Sequence, residues 1–389
     1  MLGSMVAIGC ALIAYFVVGR CLQGSAGEHS RILLAGGKRW DWMGAVAPFF
    51  SGLPPADARP WLTAWMGCLS ASLAALIPLG SGMERWRLNA IGASSGILAA
   101  VTFPVIAHWA WAGGWLATLG TNFGLGVGFV DTGGSGVIQA TGGLTALAMV
   151  WILGPRRGKY GHDGMPMAIP GHNVVYTLSG CVLALAGWIA LNGAGAVLFA
   201  RADVARIPLV AVNTILGAGG AGLAAAVLTR VRFGRPDASL TANGWVGGLV
   251  ATSAGCVNLP PAAALLTGLV AGLLVTFSVE VLELRLDVDD PGGSISVHAI
   301  GGIWGLLAVG LLGRFSSGDA AGQTLAQLVG IATLIGFALP VAWGLNLLLN
   351  RIAPQRVPRD GERQGMDLYE LGAGAYPDFV THSEDFGQR

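Results

Sequence analysis

The sequence predicts an all-α membrane protein, with ten transmembrane helices in an inverted-repeat bundle followed by a polar tail. Three observations predict it. Only 11% of the 389 residues are charged and 53% are hydrophobic, with a mean hydropathy of +0.64, whereas a soluble domain usually carries about 25% charged residues. Apolar runs of about 20 residues, each long enough to cross a bilayer as a helix, recur along the whole chain. One glycine-rich motif occurs twice, and an odd number of apolar runs separates its copies.

The first run, Met1 to Val18, has no basic leader and no small-residue cleavage site before Arg20. It therefore reads as a spanning helix rather than a signal peptide. Charges, prolines and glycines then bound ten runs, at 2–19, 60–81, 89–111, 132–154, 170–192, 207–229, 241–257, 262–284, 294–313 and 325–349. Residues 1–350 form the membrane domain in this reading and 351–389 a cytoplasmic tail. The 62 glycines fit closely packed membrane helices, where a missing side chain lets backbones approach.

Charge sets the orientation. With the amino terminus inside, 14 of the 22 Lys and Arg residues fall on the inner side, and five of the remaining eight lie in the single long connection 20–59. The positive-inside rule then places both termini in the cytoplasm of a multi-pass cell-membrane protein. Cys10, Cys21, Cys68, Cys181 and Cys256 are scattered and show neither disulfide nor zinc spacing. The sequence has no nucleophile–base arrangement, phosphate loop or dinucleotide fingerprint, so an enzyme is not expected. Neither cofactor nor metal is implied, and the net charge of +1 gives no reason to expect nucleic acid.

The repeat carries the functional signal. Gly134-Ser135-Gly136-Val137-Ile138-Gln139-Ala140-Thr141-Gly142-Gly143-Leu144 matches Gly293-Ser294-Ile295-Ser296-Val297-His298-Ala299-Ile300-Gly301-Gly302-Ile303 at an offset of 159 residues. The same offset pairs Asp131 with Asp290. The copies open the fourth and ninth runs and so point in opposite directions, the pattern of an inverted repeat with a path at the repeat interface. Gln139 and His298 then sit at equivalent depths, and Asp131 and Asp290 cap their helices at opposite faces. The amino-terminal half is one helix short of its partner.

Further stretches extend this picture: Gly82-Met83-Glu84-Arg85, His108-Trp109-Ala110-Trp111, Val130-Asp131-Thr132-Gly133-Gly134-Ser135-Gly136-Val137, Leu153-Gly154-Pro155-Arg156-Arg157, Gly187-Trp188 with Asn192, and Asn213-Thr214. Asp289-Asp290-Pro291, then Val297 through Gly305, and in the tail Gly365-Met366-Asp367-Leu368, Gly372 and Ala375-Tyr376 complete the set. With these the chain resembles the ammonium transporter (Amt/Mep/Rh) family over nearly its whole length. The resemblance implies eleven helices in a five-plus-five inverted repeat, a homotrimer with one pore per subunit, and a substrate of ammonium/ammonia. It implies a possible cytoplasmic regulatory protein as partner on the tail's side. It also accounts for the missing helix as the family's first.

The departures are as informative. The family's two pore histidines fall on Gln139 and His298. Its outer phenylalanines fall near Met66 and Ser70, a gate phenylalanine on Leu191, and a cation-site serine on Gly195. Asp131 is kept, Trp111 takes the place of the recruiting tryptophan, and the tail's His-Gly-Glu reads Leu371-Gly372-Ala373. The expected function is transport of ammonium/ammonia with altered rate or selectivity. The alternatives are an ammonium-binding sensor that does not conduct, and a channel for another small amine or neutral solute.

Each site residue has a plainer reading as well. Trp111 suits cation–π capture but also an interfacial aromatic belt. Asp131 supplies negative charge to a cation but also fits a helix cap, as does Asp290. His298 can donate with one ring nitrogen and accept with the other, whereas the Gln139 amide cannot titrate. Either could instead be interhelical glue. Leu191 is the altered gate. His172 reads as a hydrogen bonder at a helix start, Asn192 and Asn213 as glue between helices, and Glu84 with Arg85 as a structural pair.

Overall fold

The computed structural model describes residues 1–316, 318–372 and 374; Ala373, Ala375, Tyr376 and Arg389 lie outside them. Helices one to six are Leu2–Gln23, Ala58–Gly82, Leu88–Trp111, Ser135–Leu153, Val174–Leu198 and Val204–Phe233. Helix seven is Ala238–Ser253, and helices eight to ten are Pro261–Arg285, Ile295–Leu312 and Ala320–Ile352. Among the described residues, nine of these are long and apolar enough to cross a membrane; helix seven, with 16 residues, is the exception. Its expected last turn is irregular, and Asn213 compensates: Nδ2 donates to the freed carbonyls of Cys256 (3.0 Å) and Leu259 (2.8 Å).

Local chemistry sets where the helices begin. Helices two, six, seven and ten each follow an aspartate whose carboxylate accepts a first-turn N–H: Asp57 from Arg59, Asp203 from Ala205, Asp237 from Leu240 and Asp319 from Gly322. Helix five starts at Val174, later than expected, because Asn173 caps it by accepting from Val175 N (2.9 Å) and Tyr176 N (3.3 Å).

The ten helices alternate in direction, giving the bundle two ends. At one end lies an element missed in the sequence: β1 (Ser30–Ala35) pairs antiparallel with β2 (Lys38–Gly44) inside the connection 20–59. Its two-residue loop is Gly36-Gly37, with φ of +59° and +70°, the backbone of a tight hairpin turn. The hairpin docks on helix three. His108 lies buried between Asp41 Oδ1 (2.9 Å) and the Gln23 carbonyl (2.7 Å), and Trp109 Nε1 donates to Trp42 O (2.7 Å).

At the other end the chain turns back after Ile352. Trp86 Nε1 donates to Gln355 Oε1 (3.1 Å), Val357 N to Arg85 O (2.9 Å), and Leu88 N to the Glu370 carboxylate (2.7 Å). Two short helices, Arg359–Gln364 and Met366–Leu371, complete this segment. Over 353–372 the expected polar tail is packed against the helix ends.

The repeat is visible in contacts that obey its offset. Gly133 N donates to Ser253 O at the end of helix seven, and its counterpart Gly292 N donates to Gly80 O at the end of helix two. Gly134 and Gly293 both take left-handed backbone, with φ of +89° and +65°. A Cβ on Gly143 would fall 2.8 Å from Ala299 Cα, and one on Gly302 would fall 3.1 Å from Ala140 N. Ala299 and Ala140 are themselves 159 residues apart. So the first glycine of each motif makes the turn, and the last lets the two motif helices cross in backbone contact.

Candidate functional site

The crossing of helices four and nine positions the central pair. Both motifs begin not as α-helix but as π-helical turns, Ser135–Ala140 and Ile295–Ile300. Such turns are rare and concentrate at functional sites. Gln139 and His298 sit in them and meet. His298 Nδ1 donates to Gln139 Oε1 at 2.7 Å. An amide oxygen only accepts, so this bond places the ring proton on Nδ1 and leaves the Nε2 lone pair free. Gln139 is fully buried and its Nε2 has no hydrogen-bond partner, while His298 is half-buried. An amide donor without a partner beside a half-open imidazole acceptor is a small polar site in an apolar bundle.

Asp131 lies where helix four begins, at the hairpin end. Its Oδ2 accepts from Gly136 N (2.9 Å) and Val137 N (2.8 Å), so the helix-cap reading holds. Its Oδ1 is buried without a partner. Asp290 does the same for helix nine at the opposite end, accepting from Ser294 N (3.0 Å), Ile295 N (2.8 Å) and Ser81 Oγ (2.7 Å). Trp111 closes helix three, and its Nε1 donates to the Asp131 carbonyl at 2.7 Å. The structure thus brings Trp111 to Asp131 and Gln139 to His298 as two linked pairs on one helix-four segment.

The departures have structural counterparts. Met66 and Ser70 are buried in helix two, and the Ser70 hydroxyl has no partner. Leu191 is partly buried against the main core. Gly195 sits where helix five presses on residues 132–133: a Cβ there would lie 3.1 Å from the Thr132 carbonyl carbon and 3.3 Å from Gly133 Cα. A serine would force those backbones apart. Asn192 and Asn213 are interhelical glue as expected, the first donating to Thr214 Oγ1 at 2.9 Å.

One expectation is corrected. Glu84 and Arg85 do not pair with each other. Arg85 is fully buried and reaches Asp289 (3.6 Å), the Asp289 carbonyl (2.8 Å) and Gly154 O (2.8 Å). Glu84, half outside, pairs with Arg156 (3.1 Å). Adjacent side chains in a turn diverge, and the buried Asp289 carboxylate is the stronger attractor, since Arg156 also clamps it through Nε and Nη2, both at 3.0 Å. Burial works against the charge on Asp289, but these arginines hold its carboxyl below the usual range. Sequence reasoning had left Asp289 without a role, although its place beside the motif aspartate Asp290 was a signal.

The chain is similar to known proteins over most of its length. Residues 1–376 match the model of the family described as the Ammonium Transporter Family. The chain is 37% identical over 326 residues to ammonium transporter Amt2 of Archaeoglobus fulgidus, covering 80% of this chain and 69% of that one. It is 31% identical over 359 residues to Amt2 of Haloferax mediterranei, covering 88% and 77%. Among solved structures it superposes on one titled Sensor Amt Protein with a TM-score of 0.83, at 26% identity over 94% of this chain and 88% of that one. It superposes on Saccharomyces cerevisiae Mep2 with a TM-score of 0.74, at 25% identity over 92% and 79%.

Proposed function

The chain belongs to the ammonium transporter family, and on that premise we propose that the Gln139–His298 pair is the centre of its ammonium/ammonia path. The observation that carries this is the bond between the two residues at equivalent points of an inverted repeat. Carrying a unit charge through the bilayer centre costs several kcal/mol or more. A pore lowers that cost by taking the proton from the cation and passing neutral ammonia. His298 is suited to meet ammonia there, since its Nε2 lone pair accepts one N–H of the solute. The unpartnered Gln139 Nε2–H is suited to donate to the nitrogen lone pair of ammonia. Gln139 cannot carry a proton, so a relay through this pair needs bridging water, and charge should move more slowly than through two imidazoles.

Trp111 and Asp131 are the proposed recruiting residues at the hairpin end, which the positive-inside rule makes the outer face. Trp111 offers an aromatic face, and the free Asp131 Oδ1 offers negative charge. Residues 353–372 then lie in the cytoplasm. There they brace the turn 83–87, and Arg85 ties that turn to Asp289, next to the cap of the His298 helix. A partner protein docking on this side would act on the pore helix through that link. A homotrimer with one pore per subunit is proposed from the family alone.

Reconstituted protein should give an ammonium-dependent pH change or current in liposomes. The absence of any flux from correctly assembled protein would overturn the reading. A second reading, a sensor that binds ammonium without conducting it, is favoured by the superposition on the Sensor Amt Protein. Binding without flux would select it.

A further inference from the structure

Helix five ends at Leu198, and the next residue, Phe199, lies flat on Trp111. The ring centroids are 4.1 Å apart and the planes differ by 7°. A cation held by an aromatic face sits within about 6 Å of the ring centroid. A phenyl ring at 4.1 Å fills that volume on one face of the indole. The indole itself is pinned, because Nε1 donates to Asp131 O at 2.7 Å and Phe103 meets the ring edge-on at 6.4 Å.

The backbone that carries Phe199 is held as well. Phe199 N donates to Gly195 O (2.9 Å), Ala202 N donates to Ala196 O (2.9 Å), and Arg59 Nη2 donates to Leu198 O (2.7 Å). Two residues on, Arg201 takes a left-handed backbone with φ of +50°, a conformation that strains a residue with a Cβ. Phe199 is therefore set over Trp111 by a built turn. Met66, Ser70 and Leu191, by contrast, bring no aromatic ring to this region.

We propose that Phe199 is a self-occupying lid on Trp111, a specificity-determining residue that competes with ammonium for the indole face. A cation gains the face only when the phenyl ring rotates off it. Apparent affinity is then the intrinsic cation–π affinity reduced by the cost of unstacking, and a larger amine, which needs wider opening, is disfavoured more strongly. The inference rests on reading Trp111 as the recruiting residue.

The test is isothermal titration of the full-length protein in nanodiscs with ammonium chloride and with methylammonium chloride. Aromatic stacking is worth about 0.5–1.5 kcal/mol beyond buried area, so Phe199→Ala should tighten ammonium binding about 2- to 10-fold. The gain should be larger for methylammonium. Phe199→Leu, which keeps bulk but loses the stack, should fall between wild type and Phe199→Ala and serves if the alanine variant does not fold. Adding Trp111→Leu to Phe199→Ala should erase the gain. Unchanged or weaker binding by both Phe199 variants, with wild type still binding, would overturn the lid and leave Trp111 in place. Wild-type affinity unaffected by Trp111→Leu would overturn the recruiting role and the lid with it.

Discussion

Asp131 has two separable jobs, and substitution can divide them. As a cap it accepts two backbone N–H bonds on one oxygen, at 2.9 and 2.8 Å. As a charge it has a second oxygen, buried and without a hydrogen-bond partner. Hydrogen bonds to a charged acceptor contribute about 1.5–3 kcal/mol each, so Asp131→Ala loses about 3–6 kcal/mol of bonding. Relief from burying a carboxylate returns part of that, leaving a net loss of about 2–4 kcal/mol. Asp131→Asn keeps an oxygen for the same two amides and should lose only about 1–2 kcal/mol. Thermal unfolding in detergent reads the first effect, and ammonium flux in proteoliposomes reads the second. The expected result is a marked drop in melting temperature for the alanine variant alone, with reduced flux in both. A wild-type melting curve for Asp131→Ala would refute the capping argument. Wild-type flux in Asp131→Asn would refute the electrostatic one.

Three further outcomes are expected. Gln139→Leu leaves His298 Nδ1–H without its acceptor, at a cost of about 1–3 kcal/mol, and frees the ring to adopt either tautomer; a lower melting temperature with reduced flux is predicted, and unchanged values of both would show that the bond is incidental. Gly143→Leu drives a side chain into Ala299 at the crossing of the repeats and should destabilise by about 1–3 kcal/mol or more, whereas the same change at Gly164, where a Cβ meets nothing within 4 Å but φ is +76°, should cost only the local turn; equal melting temperatures would deny the close crossing. Asp289→Asn removes the buried carboxylate that Arg85 and Arg156 share and should cost about 3–5 kcal/mol. Because the Asp289 carboxyl is held below its ordinary range, its contribution is present above about pH 4 and lost as pH falls below that. The gap in melting temperature between wild type and Asp289→Asn should therefore close in acid; a constant gap would refute the ion-pair account.

The helices and the central pair were legible in the sequence because each rests on a local or periodic signal. Apolar runs bounded by aspartates mark helix starts, and a motif repeated at a fixed offset marks a symmetric crossing. Which motif glycine makes the turn and which the helix contact came only with the structure. Other features depend on which residues meet across the fold. Phe199 is an ordinary aromatic at a helix end until Trp111, 88 positions earlier, comes beneath it. Arg85 reads as the partner of its neighbour until Asp289 arrives from the other repeat. The hairpin is different: Gly36-Gly37 between runs of aromatic and branched residues was a usable local signal, overlooked because the connection lies between two much stronger apolar runs.

The central claim is that His298, held by Gln139, handles the solute as it passes. Its most direct test is ammonium flux into proteoliposomes carrying an internal pH indicator, comparing wild type with His298→Ala at matched reconstitution and melting temperature. The account predicts an ammonium-dependent signal in wild type that His298→Ala largely abolishes. Equal signals from the two proteins would contradict it.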